Sequence, residues 1–221
     1  MNNLKGLKNI AKKEGLGEVL SLILPNEDNE KTLPSVEEVL EWKEIKDRRL
    51  VINELVTDAF LFYSQLIIQW NKEDKDNNLA VEERKPIKIL LNTIGGDLDA
   101  CQSFYNVIQI SKTPVYIYNM GICASAGALI FLSGHKRYAL KGSKFLIHEG
   151  EVGLQGQTTK VLENLEQCKK TEKELEEYIV SKTKIDKKMY NKNKKKEWWI
   201  SNEAVELGIA DAIIEDIEEL L

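Results

Sequence analysis

The stretch Tyr116-Ile117-Tyr118-Asn119-Met120-Gly121-Ile122-Cys123-Ala124-Ser125-Ala126-Gly127-Ala128-Leu129-Ile130-Phe131-Leu132 decides how the rest of the chain is read. The β-type run predicts a short strand that stops at Gly121, and the apolar run after it predicts a packed helix. One hydroxyl, Ser125, falls at the first turn of that helix, flanked by Ala124, Ala126 and Gly127. Such small neighbours leave room for another backbone to approach the serine. Free N–H groups at a helix N-terminus favour a developing anion, so the setting suits a nucleophile. It also suits a plain helix cap, because serine is a preferred N-cap residue.

Two further stretches weigh against the plain cap. In Ile89-Leu90-Leu91-Asn92-Thr93-Ile94-Gly95-Gly96-Asp97-Leu98 a strand ends in a double glycine and a helix opens at Asp97. Paired glycines turn the backbone sharply and can bring N–H groups close to a ligand oxygen. Alone that signal is weak, since such turns are common connectors. In Ser143-Lys144-Phe145-Leu146-Ile147-His148-Glu149-Gly150 a strand delivers a histidine at its tip. The chain has 2 histidines, so a Ser–His pair has few ways to form. His148 is better placed than His135, which sits in the polar turn Gly134-His135-Lys136-Arg137.

Together these stretches resemble the ClpP family of serine peptidases, from about residue 47 to residue 214. The closest matches are Gly121-Ile122-Cys123-Ala124-Ser125-Ala126-Gly127-Ala128 and Glu203-Ala204-Val205-Glu206-Leu207-Gly208-Ile209-Ala210-Asp211. The resemblance implies an α/β fold, a ClpP/crotonase-like spiral of ββα units with a protruding handle helix. It implies a serine endopeptidase working by a Ser-His-acid mechanism inside a ring-shaped chamber. Polypeptide substrates, heptameric rings stacked in pairs and an AAA+ unfoldase partner come with it. Ser125 and His148 become nucleophile and base, and the N–H groups of Gly96 and Ala126 become the oxyanion donors. Family members usually carry Pro where this chain has Ile94 and a bulkier residue where it has Ala126; both changes leave the N–H groups available.

The third triad member is where the chain departs from the pattern. Counting back from Glu203 puts Lys196 at the acid's position, and a lysine cannot orient a histidine in this way. Anchoring on Trp198-Trp199-Ile200-Ser201 instead puts Glu197 there, on the premise that buried tryptophans fix the register. Asp186 and Glu149 are the fallback candidates. The same fold hosts crotonase-type acyl-CoA enzymes, which use paired backbone N–H groups without a Ser–His pair, and a degenerate, purely structural ring subunit is a second alternative. The unusual acid and the divergent start fit a phage- or prophage-type relative.

Composition narrows the classes. The 221 residues suffice for one sizeable domain, and 43% hydrophobic with 30% charged content is globular. A net charge of −5 argues against a general nucleic-acid binder. The 3 cysteines, Cys101, Cys123 and Cys168, sit in apolar contexts and fit reduced thiols in the cytoplasm. Neither a signal peptide nor a membrane span is read in the chain. The reading calls for no cofactor and no metal.

Residues 1–43 read as a mobile or partly helical extension, with Val36-Glu37-Glu38-Val39-Leu40 its best helical piece, and 44–221 as the peptidase domain. Strands are expected at 49–53, 86–91, 137–140 and 143–148, alternating with helices as in βαβ units. Residues 71–85 read as a charged loop. A long helix from Thr158 to about Lys182 carries a narrow stripe of Val161, Leu165, Cys168, Leu175 and Ile179, interrupted by Glu172. That stripe packs either on a partner or on the chain's own core. The lysine-rich 187–196 reads as a solvated loop, and a last helix is expected from Asn202 to Leu207.

Overall fold

The structure, a computed structural model, describes residues 34–220. The chain divides into two units, Met1–Lys43 and Glu44–Leu221. Helix α1 (Val36–Lys46) opens with a reciprocal cap: the Glu38 N–H donates to Ser35 Oγ at 3.1 Å and the Ser35 N–H to Glu38 Oε2 at 2.6 Å. The expected helical piece at 36–40 lies inside α1; residues 1–33 of the expected extension lie outside the described residues.

The second unit is built on seven strands: β1 (Arg49–Asn53), β2 (Ile87–Thr93), β3 (Val115–Ala124), β4 (Lys136–Leu140), β5 (Lys144–Ile147), β6 (Trp198–Ile200) and β7 (Ala212–Ile214). The main sheet has the order β1-β2-β3-β4-β7, all parallel, while β5 pairs with the far end of β3 and β6 pairs antiparallel to β5. Along β2 the period-two pattern buries Ile87, Ile89, Leu91 and Thr93. Helices α2 (Phe60–Asp76) and α3 (Leu98–Ile110) cover that layer, with Phe60 edge-on to Phe104 at 5.3 Å between ring centres. Helix α4 (Ala126–Leu132) is buried over its whole length. Helix α5 (Thr158–Lys182) is the long one, and α6 (Lys187–Asn193) leads into β6. This is an α/β fold with the expected helix–strand alternation.

Several local expectations change. The strand does not stop at Gly121: β3 continues to Ala124, and its register against β2 shifts between Leu91 and Thr93. Side-chain amides absorb the irregularity. Asn92 Oδ1 accepts the Ile122 N–H at 2.9 Å, and Asn119 Oδ1 accepts the Gly121 N–H at 3.0 Å. Because of this bulge, the first half of β3 pairs with β4 and the second half with β5.

The start of the expected 71–85 loop is helical to Asp76, because Asp74 is a buried anchor rather than a surface charge. Its carboxylate accepts from both guanidinium nitrogens of Arg48 at 2.7 and 2.9 Å and from Thr113 Oγ1 at 2.6 Å. Burial alone would raise this carboxyl; the Arg48 and Thr113 bonds outweigh it and hold the group below its ordinary value. Likewise α6 forms inside the lysine run, capped by Asp186 and pinned by the buried Tyr190. The last expected helix is a single 3-10 turn, Asn202–Ala204. No helix among the described residues is long and apolar enough to cross a membrane.

Candidate active site

The bulge in β3 is what builds the site. It hands the end of the strand to β5, so that Ala124 lies beside Leu146 and the Ser125 N–H donates to the Leu146 carbonyl at 2.9 Å. His148 follows two residues later, just past the end of β5. Ser125 and His148 line one cavity of ≈ 660 Å³, together with Gly96 and Ala126. Four of the five residues expected to act together from the sequence therefore line one cavity, and Glu197 does not.

Ser125 has φ 54° and ψ −122°, a left-handed conformation that costs a non-glycine residue about 1–3 kcal/mol. Its side chain makes no capping bond to the helix it precedes. An N-cap serine would instead have extended backbone and accept from a first-turn N–H. Over it lies the double-glycine turn. A Cβ on Gly95, at φ 99°, would meet Ser125 Cβ at 2.8 Å and the Ala124 carbonyl at 2.7 Å. The turn is fixed from its far side by Val56, whose N–H donates to the Gly95 carbonyl and whose carbonyl accepts the Asp97 N–H, both at 2.9 Å. That bridge leaves the Gly96 N–H unused. The Ala126 N–H is a first-turn donor without an intrahelical acceptor, and the Ala126 carbonyl accepts the buried Cys101 thiol at 3.3 Å.

His148 Nε2 is buried and has no hydrogen-bond partner among the described residues. The expected bond from Glu197 is not made. Glu197 is exposed, and its Oε2 accepts the Trp199 indole N–H at 3.3 Å. The premise for choosing it also changes, because Trp199 is 44% exposed and Trp198 only half-buried. Pairing of β5 with β6 runs to Ile147 opposite Trp198, and one more step would set Glu197 opposite His148. The ladder ends there: the Glu197 carbonyl accepts the Trp199 N–H, and the Glu149 N–H goes to the Lys194 carbonyl at 2.7 Å. The fallbacks do not reach the imidazole either. Asp186 caps α6 by accepting the Met189 N–H, and Glu149 is exposed.

Residues 48–217 match the Clp protease family. This chain belongs to that family. It is 33% identical over 139 residues to ATP-dependent Clp protease proteolytic subunit 2 of Treponema pallidum, covering 62% of this chain and 70% of that one. It is 27% identical over 192 residues to the proteolytic subunit 2 of Treponema denticola, covering 81% and 96%. Its fold matches a ClpP1 point mutant from Listeria monocytogenes with a TM-score of 0.69 at 22% identity, covering 82% of this chain and 99% of that one. This Clp protease chain is thus a serine endopeptidase with the ClpP fold.

The cavity holds groups that sequence reasoning passed over. Lys194, Glu172 and Tyr190 line it beside the apolar Leu129 and Leu175. Glu172 was visible in the sequence only as an interruption of the α5 stripe, and Lys194 as one lysine among six. Cys123 is fully buried, which pushes its thiol well above the ordinary value and leaves no thiolate to compete with Ser125. Among the described residues no group of three His, Cys, Asp or Glu side chains is arranged to hold a metal ion.

Proposed function

We propose that Ser125 is the acylating nucleophile of this Clp protease, that His148 is its general base, and that Gly96 and Ala126 supply the oxyanion donors. The backbone of Ser125 carries the reading: a left-handed, uncapped serine is held against the double-glycine turn, in the cavity that it shares with His148. The buried Nε2 of His148 supports it, since a buried polar atom without a partner among the described residues calls for one, and the Ser125 hydroxyl shares its cavity.

The Ser125 Oγ adds to the carbonyl carbon of the scissile amide while its proton passes to His148 Nε2. The negative charge that forms on the carbonyl oxygen is received by the Gly96 and Ala126 N–H groups. Collapse breaks the C–N bond, and the amine leaves with the proton from the imidazolium. Water then repeats the sequence on the acyl ester, releasing the carboxylic acid and restoring the serine hydroxyl. Glu197 is not assigned a part in these steps.

The reading extends to assembly. Copies of the chain enclose the sites in ring-shaped chambers, heptameric and stacked in pairs, and an AAA+ ATPase feeds them unfolded polypeptide in the cytoplasm. Support comes from α5, where Leu162 and Leu165 are 57% and 37% exposed while Ile179 alone is buried. The relatives' description as subunits of an ATP-dependent protease agrees with it. A fluorophosphonate probe tests the chemistry. Wild type should label and Ser125→Ala should not; label retained in Ser125→Ala would overturn the assignment.

A further inference from the structure

Resting on the Ser125–His148 reading, we infer that Lys194 is a positioning residue for His148, locking the histidine's segment to α5 where no carboxylate holds the imidazole. The backbone on both sides of His148 is tied to one short stretch of chain. Ile147 pairs with Trp198, and the Glu149 N–H donates to the Lys194 carbonyl at 2.7 Å. The imidazole Nε2 has no hydrogen-bond partner among the described residues. On the side that follows β5, the place of His148 is therefore set by the Lys194 carbonyl.

The Lys194 side chain fixes that carbonyl. Lys194 caps the C-terminus of α6, its own N–H donating to the Tyr190 carbonyl at 2.8 Å. Its side chain is 13% exposed and turns back into the cavity. Nζ donates to Glu172 Oε1 on α5 at 3.1 Å, lies 3.9 Å from Glu149 Oε1, and stands 5.5 Å from the centre of the Tyr190 ring. The buried Tyr190 hydroxyl donates to the same Glu172 oxygen at 3.2 Å. One ammonium thus joins α5, α6 and the residue after His148. A charge-assisted bond in so enclosed a place is stronger than a neutral one and hard to replace by water. An ordinary surface lysine would have none of these constraints.

Loss of the ammonium frees the 194–149 contact, and the base drifts from its place. Small misplacements of a catalytic group can cost on the order of 10²-fold in rate. The signature of positioning is a lowered kcat with KM nearly unchanged, because no substrate contact is removed.

The test uses full-length protein with a short fluorogenic peptide, the fluorophosphonate labelling rate, the melting temperature and the assembled mass. Lys194→Met should lower kcat and the labelling rate together by about 10–10²-fold, with KM within about threefold. Lys194→Arg should restore most of the rate, and the exchange Lys194→Glu with Glu172→Lys should recover part of it. Should Lys194→Met fail to fold, Glu172→Gln, which keeps the shape and removes the charge, replaces it. An unchanged kcat, a raised KM with normal kcat, or no recovery by arginine overturns the inference. Failure of wild type to label would instead overturn the Ser125 reading beneath it.

Discussion

Gly95 and Ser125 touch backbone to side chain: a carbon added to Gly95 would lie 2.8 Å from Ser125 Cβ. Gly95 cannot gain a side chain without moving Ser125, and it also sits at φ 99°, where side chains are strained. Gly95→Ala should therefore lower stability by about 1–3 kcal/mol. The same step should abolish probe labelling, because the turn that carries the Gly96 N–H is pushed off the serine. Denaturant unfolding and labelling of one preparation check both, and a fully labelled, equally stable variant would refute the contact.

The two candidate nucleophiles two residues apart should separate cleanly. Ser125→Ala removes labelling and peptide cleavage. Cys123→Ala should leave both largely intact, with a loss of stability on the order of 1 kcal/mol, since its buried thiol packs and makes only a weak bond to the Leu91 carbonyl. Loss of labelling in the cysteine variant alone would reverse the assignment.

Glu197→Gln should retain turnover within about threefold, given that ordinary surface substitutions change little. The carboxylate faces solvent and bonds the Trp199 indole rather than His148. A true orienting acid would lose about 10⁴-fold on amidation. A fall of that size would mean that the side chain swings to His148 when the enzyme assembles or binds substrate.

Acid should weaken the fold through His135. Burial lowers this imidazole below 6.5, with the Lys182 charge acting in the same direction. Its Nδ1 accepts the Val115 N–H at 3.0 Å, a bond that protonation of that nitrogen breaks. Below pH 6.5 the unfolded chain binds more protons than the folded one, so stability is complete above that point and is lost as pH falls through the folded value. Melting temperatures across about pH 7 to 5 should show this slope, flattened in His135→Asn.

Assembly can be checked by mass photometry, which should find a species several-fold heavier than one chain. Leu162→Glu with Leu165→Glu should shift it towards lighter forms, because both leucines are exposed on α5. A wild-type monomer at micromolar concentration would argue against the chamber.

The sequence alone determined the parts that depend on local chemistry. Small residues around Ser125, a double glycine before Asp97 and a histidine ending an apolar run are readable because each dictates its own backbone. The long α5 was equally legible from its spacing. Tertiary structure decided what depends on long-range partners. Asp74 looked like loop because burial of a charge shows only beside Arg48 and Thr113. The β3 bulge, which turns Ser125 towards β5, is held by Asn92 from another strand. Whether Glu197 bonds His148 is likewise a matter of side-chain placement in space, and here that bond is not formed. A carboxylate's direction is set by its nearest donor in space, which for Glu197 is Trp199, whereas the segment bearing His148 is tied to Lys194.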